Sequence, residues 1–359
     1  MVSMGRVPAL GLAFACCSLV LAAPRWQLDQ QQRTPLMAPQ VASTAYEMRT
    51  VNPAIGLRVS YSESRENLML AITASGDSVS VPVSSDRIEV AGAADVIVVA
   101  DKRRFPGSIT CGKDTYDGLT AFDSKGRVIA RVAQTGAIGR LHVLSDGRSI
   151  VATDDAVRIY DMANGGNVLW NVPFAVDEVI ALPGEQFLAT QRWDKAGDTM
   201  RAELRSAQTG AVILTTTDPR TAGPEYFAVS SDNRYAFLRR NTQIGPPVCT
   251  VDVIDLAAPG QPLIRIPNIT GGPLAADRSG VDGSVALAIL IPPANKDARA
   301  IRADLQVFDS QGRLMFRSAG SPGPIDSLRS LVRFGGAGDT IQFEFDHERR
   351  MYTLAGGEP

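Results

Sequence analysis

Histidine and cysteine are scarce in this chain, with two of the first and four of the second in 359 residues. His142 and His347 stand alone in their regions, and no cysteine or histidine pair has the spacing of a metal-ligand set. A G-x-S-x-G nucleophile elbow and a G-x-x-x-x-G-K-[ST] phosphate loop are both missing. Gly335-Gly336-Ala337-Gly338 is glycine-rich, but it joins two strand-like stretches and precedes no helix, so it reads as a hairpin turn. Asp154-Asp155 is a carboxylate pair at a tight turn. The balance of 36 basic against 38 acidic residues lacks the excess of either sign that a nucleic-acid or anionic-membrane surface needs. No stretch has helical periodicity long enough to cross a sheet, which removes a parallel α/β architecture.

The first 22 residues are distinct. Arg6 is their only charge, an apolar run follows over 7–22, and Val20-Leu21-Ala22 is a small-residue end before Ala23-Pro24. That composition predicts a cleavable secretory signal over 1–22, and the run is too short to favour a membrane span. The expected location is therefore secreted or periplasmic, with no integral span after cleavage. Residues 23–44, with the glutamines at 30–32, lack periodicity and read as a flexible lead-in to a single domain over 45–359.

That domain is full of strand and turn signals, with 32 glycines and 22 prolines punctuating a 45% hydrophobic chain. The clearest unit begins at 142–147, where a Ser-Asp-Gly hairpin precedes a strand rich in β-branched residues over 149–154. Two further alternating stretches, 157–160 and 167–174, flank a turn at 161–165. The turn after the third strand recurs. Phe122-Asp123-Ser124-Lys125-Gly126 matches Phe308-Asp309-Ser310-Gln311-Gly312, with looser copies near positions 73, 161, 205, 255 and 353. Spacings of 38 to 54 residues, with four strands in each, predict the blades of an all-β propeller: seven blades, or six with an irregular N-terminal addition. Each small sheet has two apolar faces, and radial stacking buries both. The last unit stops after its third strand, so an N-terminal strand near 46–51 is expected to close the ring.

Residues 143–170, through Val143-Leu144-Ser145-Asp146-Gly147-Arg148, Tyr160-Asp161, Gly165 and Trp170, resemble the WD-repeat, YVTN and quinoprotein-like propeller superfamily. In the quinoprotein type a tryptophan at the place of Trp170 docks between blades. No other unit has a tryptophan there, and the WD-repeat histidines are missing. The resemblance therefore implies fold rather than activity.

Loop length points to a face. The connection between second and third strands is minimal near Asp155 but long at 102–118, 193–200, 241–249 and 292–303, and equivalent connections emerge on one side of a ring. Lys102, Arg103, Arg104, Trp193, Lys195, Arg239, Arg240 and Lys296 lie in or beside these stretches. Such a mixed, charged rim with one tryptophan suits a protein or peptide partner. No catalytic residue, metal or cofactor is expected. The alternative is a propeller enzyme or cofactor binder, quinoprotein-like, with its site in the central channel. Cys111 and Cys249 occupy equivalent loops of distant blades. An oxidising compartment favours their pairing and the ring geometry opposes it, which leaves the disulfide open.

Overall fold

The computed structural model describes residues 25–33, 47–52, 57–63, 68–74, 77–83, 87–93, 96–103, 115–123, 125–133, 138–144, 146–153, 155–173, 176–182, 184–241, 248–291, 302–321, 330–345 and 348–355. These residues form seven four-stranded antiparallel sheets. Six follow chain order without crossover: sheet one over 47–83, two over 87–133, three over 138–172, four over 178–219, five over 225–270 and six over 272–318. The first strands of sheets one to four adjoin in turn, as do those of sheets five to seven, and the first strand of sheet five lies against the second and third strands of sheet four. This is the β-propeller plan, in which each sheet shelters the next. The predicted signal, 1–22, lies outside the described residues.

Sheet seven joins the two ends of the chain. Its inner three strands are Ser330–Phe334, Thr340–Phe345 and Glu348–Ala355, and its outer strand is Arg25–Arg33. An N-terminal strand does close the ring, but not the one expected. Glu47–Asn52 begins sheet one, and the closing strand comes from the stretch read as a flexible lead-in. Backbone pairing explains why polarity was misleading. An outer strand needs only N–H and C=O groups to pair, so Gln30, Gln31 and Gln32 fit opposite Met351, Arg350 and Arg349. The apolar anchor is Trp26, 5% exposed, with its ring 6.1 Å from that of Phe334.

Burial alternates along the strands as two-sided packing requires. In Val285–Ile291, Val285, Leu287 and Ile289 face sheet five, where they meet Phe237, Val251 and Val253. Ala286 and Ala288 face sheet seven, and their small side chains leave room for Phe343, Phe345 and Tyr352. The repeated turn is copied atom for atom. Asp123 Oδ1 accepts from the Lys125 and Arg127 backbone N–H groups at 2.9 Å, and Oδ2 accepts from Arg127 Nε at 2.6 Å. Asp309 accepts from Gln311 and Arg313 with the same distances. These donors hold both carboxyls below the usual carboxylate range against a burial that opposes ionisation.

Trp170 docks onto the next sheet. Its indole N–H donates to the Ala207 carbonyl at 3.2 Å, in sheet four's last turn. Gly210 in that turn has φ +72°, and a Cβ there would sit 2.8 Å from the indole. Both the left-handed backbone and the close approach require glycine.

Candidate interaction face

In every sheet the turn between second and third strands and the link to the next sheet leave from the same end. Trp193 stands at this end of sheet four. The expected loop 193–200 is instead a tight hairpin: Trp193 pairs with Met200 and Asp194 with Thr199, which leaves four residues to turn. The apolar, extended pair Trp193–Met200 continues the ladder further than polarity suggested. The tryptophan is half-buried and held on several sides. Its backbone N–H donates to Asp177 Oδ2 at 2.5 Å, and its indole N–H donates to Asp198 Oδ1 at 3.3 Å. The Arg220 guanidinium lies 3.9 Å from the ring centroid and the Lys195 ammonium 5.5 Å from it. A backbone bond from Arg220 N–H to the Asp198 carbonyl, 2.9 Å, fixes the two turns together. Each cation–π contact contributes about 0.5–1 kcal/mol at an exposed site.

Arg239 and Arg240 are strand residues, not loop residues. Their side chains point to opposite faces of sheet five, and carboxylates engage both. Arg240 bonds Asp218 of sheet four at 2.5 Å and also Asp252, which is fully buried; Arg265 Nε reaches the other Asp252 oxygen at 2.8 Å. Arg239 bonds Glu225 on the first strand. Burial pushes the Glu225 carboxyl up, and Arg239 pulls it back in part. Arg240 ties sheet five to sheet four and Arg239 braces two strands of sheet five, so both are engaged within the fold.

A pattern that the sequence reading missed runs through this end. Sheets four to seven each carry one buried carboxylate on the third strand: Glu203, Asp252, Asp304 and Glu348. Each faces the preceding sheet and each has arginine: Arg201 and Arg205, Arg240 and Arg265, Arg302 and Arg317, and Arg350. Three of these acids sit singly between apolar residues, as in Ala202-Glu203-Leu204, Val251-Asp252-Val253 and Ala303-Asp304-Leu305, a signal available in the sequence. Burial opposes ionisation of Glu348. The Ser321 N–H and hydroxyl, each 2.9 Å away, and Arg350 outweigh it and hold the carboxyl below its ordinary value. At the opposite end, buried Asp277 has no ion-pair partner among the described residues. It accepts from Ser231 N–H and hydroxyl in sheet five and from Phe334 N–H in sheet seven, and burial pushes it up.

The other sequence candidates divide in two. Lys102 and Arg103 end the strand Val96–Arg103, while Arg104, Cys111, Lys296 and His347 lie outside the described residues. Cys249 carries a free thiol. It is buried, approaches the Gly271 carbonyl at 3.9 Å, and burial pushes its pKa up. His142 is half-buried, with Nε2 3.1 Å from the Val179 carbonyl of the next sheet, a structural position. Among the described residues no group of three metal-ligating side chains converges, and no helix is long and apolar enough to cross a membrane.

No family model matches the chain, and no curated protein matches it. Among solved structures it is similar to a eukaryotic initiation factor, at 12% identity and TM-score 0.48 over 84% of this chain and 71% of the other. It is similar to the WD40 domain of coronin from Toxoplasma gondii, at 10% identity and TM-score 0.46 over 93% and 87%. BamB from Moraxella catarrhalis gives 12% identity and TM-score 0.41 over 92% and 100%. Likeness at this level concerns the path of the chain; strand order and register establish the fold of this protein.

Proposed function

We infer that this protein is an exported propeller scaffold that engages a protein or peptide partner through the face carrying its second-to-third-strand turns. The observation that carries the reading is Trp193: an aromatic side chain at a strand end, braced by Asp177 and Asp198 and flanked by Arg220 and Lys195. A rigid aromatic with cations beside it loses little entropy on docking and supplies the anchor that interfaces concentrate their affinity in. Support for a shared face comes from topology. Arg103, Asn241 and Ile291 close second strands in sheets two, five and six, so the segments after them depart from the end where Trp193 stands. The apolar segment 7–22 behind Arg6 supports export.

The test is capture of interacting proteins by the purified protein and by Trp193→Ala and Lys195→Ala variants. Trp193→Ala is expected to weaken capture of a specific partner by about tenfold or more, as hot-spot tryptophans do, while circular dichroism stays unchanged. Equal capture by wild type and Trp193→Ala would remove the reading.

A further inference from the structure

Sheet four carries two exposed like charges directly opposite each other. Arg192 and Arg201 are direct partners across its second and third strands, so their side chains rise from the same face. Like charges at that spacing repel, and neither position needed arginine for packing. Below them the ladder continues with Thr190 opposite Glu203 and Leu188 opposite Arg205. Leu188 packs into the core shared with Ile150, Val157 and Ile159, so this face looks toward sheet three.

Geometry explains why the arginines stay uncovered. The strands of sheet four run eight residues, Phe187–Asp194 and Thr199–Ser206, whereas those of sheet three, Arg148–Thr153 and Val157–Asp161, run six and five and meet in a minimal turn. At roughly 3.3 Å per residue, sheet four overhangs its neighbour at this end. The overhang forms a half-open cleft of about 180 Å³ lined by Thr190, Arg192, Arg201, Glu203 and Arg205. Glu203 is spoken for: Arg205 bonds it through Nε and Nη2 at 2.9 and 2.5 Å, and Arg201 at 2.6 Å. Arg192 has no ion-pair partner among the described residues. Three arginines against one glutamate leave the lining at +2, in a chain whose formal net charge is −2.

We propose that this cleft is a binding site for a small dianion, a phosphate or a dicarboxylate, clasped between Arg192 and Arg201 with the Thr190 hydroxyl beneath. Guanidinium forks match both oxyanions in bidentate fashion, and a doubly negative guest cancels the excess and the repulsion together. The buried Glu203–Arg205 pair fixes the floor, so the site is preorganised. Arg192 and Trp193 point to opposite faces of their strand, and the site does not depend on the partner surface around Trp193.

The experiment is thermal unfolding of the full chain with sodium phosphate, sodium succinate or sodium chloride at matched ionic strength. Wild type is expected to rise in Tm saturably with phosphate or succinate relative to chloride, and the more effective of the two identifies the guest class. Arg192→Gln and Arg201→Gln should each weaken the response about tenfold or more, the loss of a charged hydrogen-bond donor. Arg192→Gln should nonetheless unfold no earlier than wild type in chloride, because it relieves the arginine pair; that separates a lost site from a damaged fold. Arg313→Gln, in the repeated turn at the other end, should respond as wild type does. The proposal fails if neither dianion raises Tm beyond chloride, or if Arg192→Gln and Arg313→Gln respond alike.

Discussion

Sheets four and five handle the same problem in opposite ways. Each buries a carboxylate on its third strand and sets arginines against it. In sheet five the count balances: Asp218 and Asp252 take Arg240 and Arg265. In sheet four a single Glu203 faces Arg192, Arg201 and Arg205. The balanced set spans two sheets around the fully buried Asp252, which makes it a fastener. The unbalanced set lies where the neighbouring sheet is shorter and solvent enters, and its surplus charge remains for a guest. Arginine content alone does not separate a structural site from a binding site; the number of carboxylates within reach does.

The largest way to break the comparison is Asp252→Ala. It takes a charged hydrogen-bond partner from both Arg240 and Arg265 and should cost roughly 3–5 kcal/mol, at about 1.5–3 kcal/mol for each charged hydrogen bond lost. Denaturant unfolding would read it, and added phosphate should not restore the loss. Glu203→Gln should cost less, about 2–3 kcal/mol, because Arg205 keeps the Gly210 carbonyl at 2.8 Å. In that variant phosphate should recover part of the stability, and a variant indifferent to phosphate would make the two sheets alike.

Glu348 sharpens the contrast through pH. Its folded carboxyl is held below the ordinary value of 4.5, so its stabilisation is present above that pH and fades as pH falls through the lower folded value. Glu348→Gln should therefore flatten the loss of stability on acidification below about pH 4.5, measured by Tm across a pH series. Asp277 has the opposite sign. Burial pushes its folded carboxyl above 3.8, so its contribution is full below that pH and declines as pH rises through the raised value. Asp277→Asn should remove that decline. The smallest effect is expected at Arg192, where glutamine should shift stability in chloride by no more than about 0.5 kcal/mol.

Local chemistry was legible in the sequence. The Asp123 and Asp309 turns are built by donors within four residues, so identical residues give identical geometry. The repeat spacing and the docking of Trp170 belong to the same class, since each unit meets only its neighbours. What could not be read were pairings set by distant chain. Arg239 and Arg240 look like free loop cations in sequence, yet Glu225 and Asp218 lie 14 and 22 residues away and are brought beside them by strand pairing and by stacking respectively. The glutamines at 30–32 look featureless because a closing strand is chosen by its backbone.

The sequence by itself determined a chain of small four-stranded units, their turns and the apolar faces that force them to stack. Tertiary structure decided which strand closes sheet seven, which arginines are neutralised and where one sheet overhangs another. The division has a physical cause. Turn hydrogen bonds and strand alternation act over a few residues, whereas ion pairing and exposure depend on which sheets meet and on how long each one is.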